Sequence, residues 1–229
     1  MKEQYNKLTN FIFVDNEKEG YYAYFISMFL FIVASPFSSI HSVVVLSVLL
    51  FYPIWAAHVK KIDYFEFGLI NIDWKKTIFY LLFWGIITFV PYLFFVVYYQ
   101  QVGLEKFISN FAFPKNYFVE TLLYQVVVVG FSEEFFYRGY MQPLVQKKYN
   151  RYIIKSLKLD TGVIIVSVLF AIGHFFTYYT PFSLLTFFPS LVFGVLKNET
   201  DSIVASMIYH GLSNALMFLL LDNLGNIFA

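Results

Sequence analysis

Apolar and polar positions segregate into long blocks over most of the chain. Apolar runs fall at about 21–38, 39–58, 77–100, 117–141, 162–179, 182–197 and 202–221. Each approaches the ~20 residues that a helix needs to cross the ~30 Å hydrocarbon core of a bilayer. The pattern predicts seven transmembrane helices, or eight if two weak spans share one longer region. Tyrosine clusters in "YYAY", "YYQQ" and "FFTYY" stand at run ends, where aromatic belts belong. No internal repeat or low-complexity tract interrupts the series. The expected fold is all-α, a polytopic membrane helical bundle. Residues 1–20 form a cytoplasmic amino-terminal segment and 21–229 a single transmembrane domain.

Composition agrees. The 229 residues are 59% hydrophobic, 23% aromatic and 14% charged, against about a quarter charged in soluble domains. A net charge of +1 leaves no basic excess for nucleic acid. The chain has no cysteine, which excludes disulfides, a thiol nucleophile and Cys-ligated metal. The opening "MKEQYNKLTNFIFVDNEKEG" is mixed in charge and lacks the pattern of a cleaved signal peptide.

The cations orient the spans. The amino terminus and the loops after the second, fourth and sixth runs hold thirteen of them. These are Lys2, Lys7, Lys18, Lys60, Lys61, Lys75, Lys76, Lys147, Lys148, Arg151, Lys155, Lys158 and Lys197. The other side has Lys106 and Lys115. The positive-inside rule then places the amino terminus in the cytoplasm and the carboxy terminus outside.

The sixteenth cation, Arg138, lies within an apolar run, in "VVVVGFSEEFFYRGYM" from Val126 to Met141. A charged side chain at mid-membrane is expensive, about 3 kcal/mol each on insertion scales, and is functional by default. At 100° per residue Glu134 and Arg138 stand about 40° apart and can pair. Glu133 stands about 140° from Arg138 and is left without that partner.

Four histidines are candidates to meet Glu133. His58 beside Lys60 and Lys61, and His41 near the outer end of the second run, read as interfacial or structural. His174 and His210 are deep, on stripes of small and polar residues. Ser167 and Ala171 lead to His174; Ser202 and Ser206 lead to His210, with Asn214 one turn on. Such stripes face a bundle interior. Counted from the cytoplasmic ends at 1.5 Å per residue, Glu133 and His174 lie about 20 Å deep and His210 about 13 Å.

These residues form three ordered motifs: "EEFFYR" (Glu133, Glu134, Arg138), "FAIGH" (Phe170, His174) and "HGLSN" (His210, Asn214). Together with "FGVLKNETDSIVASMIYHGLSN", they resemble the CAAX-protease and bacteriocin-processing family of intramembrane proteases, also called CPBP or Abi. The resemblance covers about 117–221. It implies an intramembrane endopeptidase acting on a membrane-associated peptide or protein, such as a bacteriocin, a pheromone precursor or a CAAX-like carboxy terminus.

Chemistry supports the same roles. With no cysteine and no nucleophile elbow around Ser132, water is the expected nucleophile. Glu133 with His174 would activate it as general base. His210 and Asn214 would donate to the oxyanion. Glu134 and Arg138 would lock the helix, and Phe170 would pack. Glu133, His174 and His210 are also a possible zinc set, so zinc is the alternative to a site without cofactor. Two other classes are weighed. One is a bacteriocin-immunity or peptide-binding membrane protein without proteolysis. The other is a transporter with a proton relay, which the lack of repeats and broken helices disfavours.

Overall fold

The computed structural model describes residues 13–70, 72–99 and 118–228. Among the described residues there are seven helical runs, one for each apolar block. Helix α1 spans Glu17–Ala34, α2 Ser38–Lys60 and α3 Trp74–Tyr99. The fourth run, α4, is continuous but changes its winding. It passes through Phe118–Leu123 (α), Tyr124–Gly130 (π), Phe131–Glu134 (α), Phe135–Met141 (π) and Gln142–Gln146 (α). Helices α5, Thr161–Tyr178, α6, Phe187–Thr200, and α7, Val204–Phe228, complete the bundle.

By length and composition, His41–Lys60, Trp74–Val96 and Thr161–Tyr178 are long and apolar enough to cross a membrane, and Val204–Leu220 is a shorter apolar helix. The fold is an all-α membrane helical bundle. Helix α3 shows what faces lipid: Ile78, Leu82 and Ile86 are all more than half exposed. Helices α1 and α4 carry ionisable groups, which lower their hydropathy; buried Glu19, Glu134 and Arg138 find partners inside the protein.

The structure corrects one detail of the sequence reading and adds another. The sixth apolar run is not one helix from residue 182, because Pro181–Thr186 is a 3-10 turn and α6 starts at Phe187. The loop after the fourth run holds a short hairpin, in which β1, Tyr152–Ile154, pairs antiparallel with β2, Leu159–Asp160. Asp160 then caps α5, its Oδ1 accepting from the Val163 amide at 2.9 Å. Lys106 and Lys115, the cations assigned to the outer side, lie outside the described residues.

The core is aromatic and runs through α1, α2, α4, α5, α6 and α7, with Phe31, Phe136, Phe170, Phe193 and Tyr209 all buried. Two features hold the elements in place around it. At the start of α1, buried Glu19 accepts from Lys60 Nζ at 2.6 Å, from the Tyr140 hydroxyl at 2.7 Å and from the Asp15 amide at 2.6 Å. This joins α1, α2 and α4 at the cytoplasmic end assigned by the lysine pattern. The α6–α7 turn is held against the α2–α3 connection. Ser202 Oγ and the Ile203 amide both donate to the Gly68 carbonyl, at 2.8 and 3.0 Å. Gly68 has φ +99°, and a Cβ there would lie 3.1 Å from the Ile203 nitrogen. Only glycine meets both conditions without strain. The Thr-x-Ser-Ile stretch is therefore a docking turn that sets where α7 begins, and with it where His210 stands.

Candidate active site

Three helices supply the site, and their packing explains why the residues meet. Helix α4 approaches α7 so closely that a Cβ on Gly211 would lie 2.7 Å from Val126 Cα, and one on Gly130 would lie 2.8 Å from the Met207 carbonyl oxygen. Small residues at such crossings let membrane helices come into backbone contact. The contact sits one turn before Glu133 on α4 and beside His210 on α7. Phe170 on α5 fills the remaining wall.

The three groups expected to converge do so. Glu133 Oε2 lies 3.7 Å from His174 Nε2 and 3.9 Å from His210 Nε2. Glu133 is 9% exposed, and its Oε2 makes no hydrogen bond within the protein. His174 Nδ1 lies 3.1 Å from the Phe170 carbonyl oxygen. A carbonyl can only accept, so Nδ1 carries the hydrogen and the Nε2 lone pair faces Glu133. The Phe170 ring packs on the His174 ring at 4.3 Å between centroids, so Phe170 steers this histidine with both backbone and side chain.

Glu134 has a second task beside the expected one. Its Oε1 accepts from Arg138 Nη1 at 3.1 Å and also lies 2.9 Å from His210 Nδ1. The carboxylate, paired with a guanidinium, is an acceptor, so His210 donates from Nδ1 and turns Nε2 toward Glu133. Glu134 therefore does more than lock α4: it orients an imidazole on α7. His210 can donate from Nε2 only when it carries a second proton, which the carboxylate behind it stabilises.

Arg138 is fully buried, and its charge is accounted for. Nη2 donates to Ser190 O at 3.0 Å and Ser190 Oγ at 2.5 Å on α6. Its guanidinium carbon lies 4.7 Å from the Phe170 ring centre and 5.1 Å from that of Phe193. Phe193 also stacks on His210 at 4.7 Å and 15°. One aromatic layer thus supports the cation and both histidines.

Asn214, one turn beyond His210, donates from Nδ2 to Gln125 Oε1 at 2.9 Å. Gln125 is absent from the sequence reading. A lone amide within the apolar "LLYQVVVVG" was the signal that could have found it. Ser132 Oγ donates to the Val128 carbonyl at 2.6 Å, which occupies its hydrogen. His58 lies in the last turn of α2, and the His41 Nε2 is buried and unpaired, so neither joins the site.

The zinc alternative can be tested on donor geometry. Glu133, His174 and His210 are the right residue types. Yet among the described residues no three His, Cys, Asp or Glu side chains form a group that could hold a metal ion.

Fold and site define a class: an integral membrane protein with a carboxylate–imidazole cluster enclosed in its helices. Residues 115–216 match the family described as Type II CAAX prenyl endopeptidase Rce1-like. The match bears out the resemblance carried by the three motifs and spans all of them. Comparison with curated proteins and with solved structures gave no match.

Proposed function

We propose that this protein is an intramembrane endopeptidase that hydrolyses a peptide bond of a membrane-associated peptide or protein with activated water. The observation that carries the reading is Glu133 Oε2 set between the Nε2 atoms of His174 and His210. In this reading His210 carries a second proton held by Glu134, so its Nε2–H is a donor, while Glu133 Oε2 and His174 Nε2 are two acceptors that a water molecule supplies with hydrogens. One O–H donates to His174 Nε2 and the other to Glu133.

Glu133 takes a proton as the water oxygen attacks the carbonyl carbon of the substrate. The C–O bond forms, and the carbonyl π electrons move onto oxygen. The Asn214 amide N–H not used by Gln125, and protonated His210, donate to that oxyanion. The tetrahedral intermediate collapses, the C–N bond breaks, and the proton on Glu133 passes to the leaving nitrogen. Donors already aimed at developing charge are often the largest single contribution to catalysis.

The family match favours a CAAX-like carboxy terminus over a bacteriocin or pheromone precursor as substrate. The protein sits in the cell membrane with its amino terminus in the cytoplasm, and the reaction uses no cofactor. A direct test uses the full chain in liposomes with a farnesylated CAAX peptide in H2 18O. Cleavage should place one 18O in the new carboxylate and survive a chelator. Binding of the peptide without cleavage would overturn the peptidase reading in favour of a peptide-binding membrane protein. Loss of turnover with the chelator and recovery with zinc would overturn the metal-free chemistry alone.

A further inference from the structure

We propose that Gln125 is a positioning residue for this reaction, holding the Asn214 amide so that an N–H faces the developing oxyanion. The inference rests on the reading of Asn214 as an oxyanion donor.

Gln125 lies in the first π segment of α4 and is 9% exposed. Its Oε1 accepts from Asn214 Nδ2 at 2.9 Å. A primary amide has one acceptor end and one end with two donors. An asparagine free to turn about its last torsion presents either end to the substrate. The oxygen end would face the oxyanion and repel it. With Gln125 Oε1 facing α7, as the structure places it, an Asn214 oxygen turned toward it would oppose two acceptors. One N–H is spent on Gln125, and the second is left with a fixed direction.

The backbone around this bond is equally fixed. Val126, the residue after Gln125, packs on Gly211, the residue after His210. A Cβ on Gly211 would come within 2.8 Å of the Val126 nitrogen and 2.7 Å of its Cα. Helix α7 cannot slide or roll against this part of α4 without a clash. Gln125 and Asn214 therefore meet across the tight contact that also sets His210 beside Glu133. The π winding of Tyr124–Gly130 contributes too, since it changes which way Gln125 faces relative to Glu133. Such segments inside α-helices are often found at functional sites.

A purely structural amide pair between helices would affect folding without singling out turnover. The test measures kcat, KM and thermal unfolding for the full chain in liposomes, with an internally quenched farnesylated CAAX peptide. The variants are Asn214→Ala, Gln125→Leu, Gln125→Glu and the Gln125→Leu/Asn214→Ala double. Asn214→Ala should lower kcat roughly 10²–10³-fold. Gln125→Leu should lower it roughly 10–10²-fold with KM unchanged, as a misdirected group does. The double variant should be no slower than Asn214→Ala alone. Gln125→Glu keeps an acceptor oxygen and should recover most of the rate.

Wild-type turnover in Gln125→Leu, with Asn214→Ala impaired, would overturn the positioning role and leave the peptidase reading intact. A double variant slower than Asn214→Ala by the full Gln125→Leu factor would also overturn it. Wild-type turnover in Asn214→Ala would instead remove the oxyanion reading on which the inference rests. Should Gln125→Leu fail to fold, a folded Gln125→Glu as slow as Asn214→Ala would contradict the proposal.

Discussion

Glu134 Oε1 and His210 Nδ1, 76 positions apart in the chain, meet at 2.9 Å, and the same oxygen accepts from Arg138 one helical turn away. One carboxylate therefore balances a buried cation and fixes an imidazole on another helix. Glu133, its neighbour in sequence, faces the opposite nitrogen of that imidazole. The two adjacent glutamates have different work because they approach His210 from different sides.

Glu134→Gln should show this double role. Removing one partner of a buried ion pair costs about 3–5 kcal/mol. Thermal unfolding should therefore fall well below that of the wild type. The surviving folded fraction should also be slow, because the amide no longer stabilises protonated His210. A variant as stable as wild type would mean that Arg138 does not depend on this carboxylate.

The α4–α7 crossing gives a steric prediction with an internal control. Gly211→Ala drives a methyl group into the Val126 backbone and should destabilise by about 1–3 kcal/mol, the usual range for overpacking. Gly85→Ala adds the same methyl group where it meets only the Phe89 ring, at 3.8 and 4.0 Å. There the gain in helix propensity should stabilise by about 0.5–1 kcal/mol. Chemical or thermal unfolding in detergent would measure both. Equal effects would mean that the helix crossing is looser than the structure shows.

Much of this arrangement was legible in the sequence, for physical reasons. Intramembrane charge demands partners, which singled out Glu133, Glu134 and Arg138. Stripes of small and polar residues marked the inner faces that carry His174 and His210. The 100° step correctly paired Glu134 with Arg138. It could not show the bond from Glu134 to His210, which depends on how α7 is rotated against α4. That rotation is set by Gly68 and Ile203 at one end and by Gly211 and Val126 in the middle, and these contacts are long-range. The two π segments also break the 100° rule inside α4, so the facing of Gln125 was not readable from spacing. The hairpin 152–160 was hidden because its strands are only three and two residues long.

At the cytoplasmic end, Asp15 and Glu19 should differ sharply although both bind Lys60. Hydrogen bonding from Lys147 is the largest effect on the Asp15 carboxyl, with Lys60 adding to it, and together they hold it below its usual range against partial burial. Its contribution is therefore present above the ordinary aspartate value and is lost as pH falls through the lowered one. Because Asp15 is largely exposed, Asp15→Asn should cost at most about 1 kcal/mol and less at high salt. Glu19→Gln removes the buried partner of Lys60, leaving it only the exposed Asp15 carboxylate, and should cost up to about 3–5 kcal/mol. Unfolding of both variants at low and high salt separates them. Equal losses would mean that Glu19 is not the anchor of α1.

The lysine distribution makes a topological prediction. A reporter at the carboxy terminus should appear outside the cell, and one inserted after Arg151 should appear inside. Two reporters on the same side would contradict the orientation.

Glu133→Gln tests the central claim most directly. The amide is nearly the same size, keeps an oxygen toward the histidines and cannot take a proton from water. Its turnover of the farnesylated peptide should be compared with that of wild type at equal amounts of folded protein. General-base catalysis contributes about 10²–10⁴-fold, so turnover should fall at least that far while thermal unfolding stays near the wild-type value. A folded Glu133→Gln protein that cleaves at the wild-type rate would contradict the assignment of Glu133 as the base.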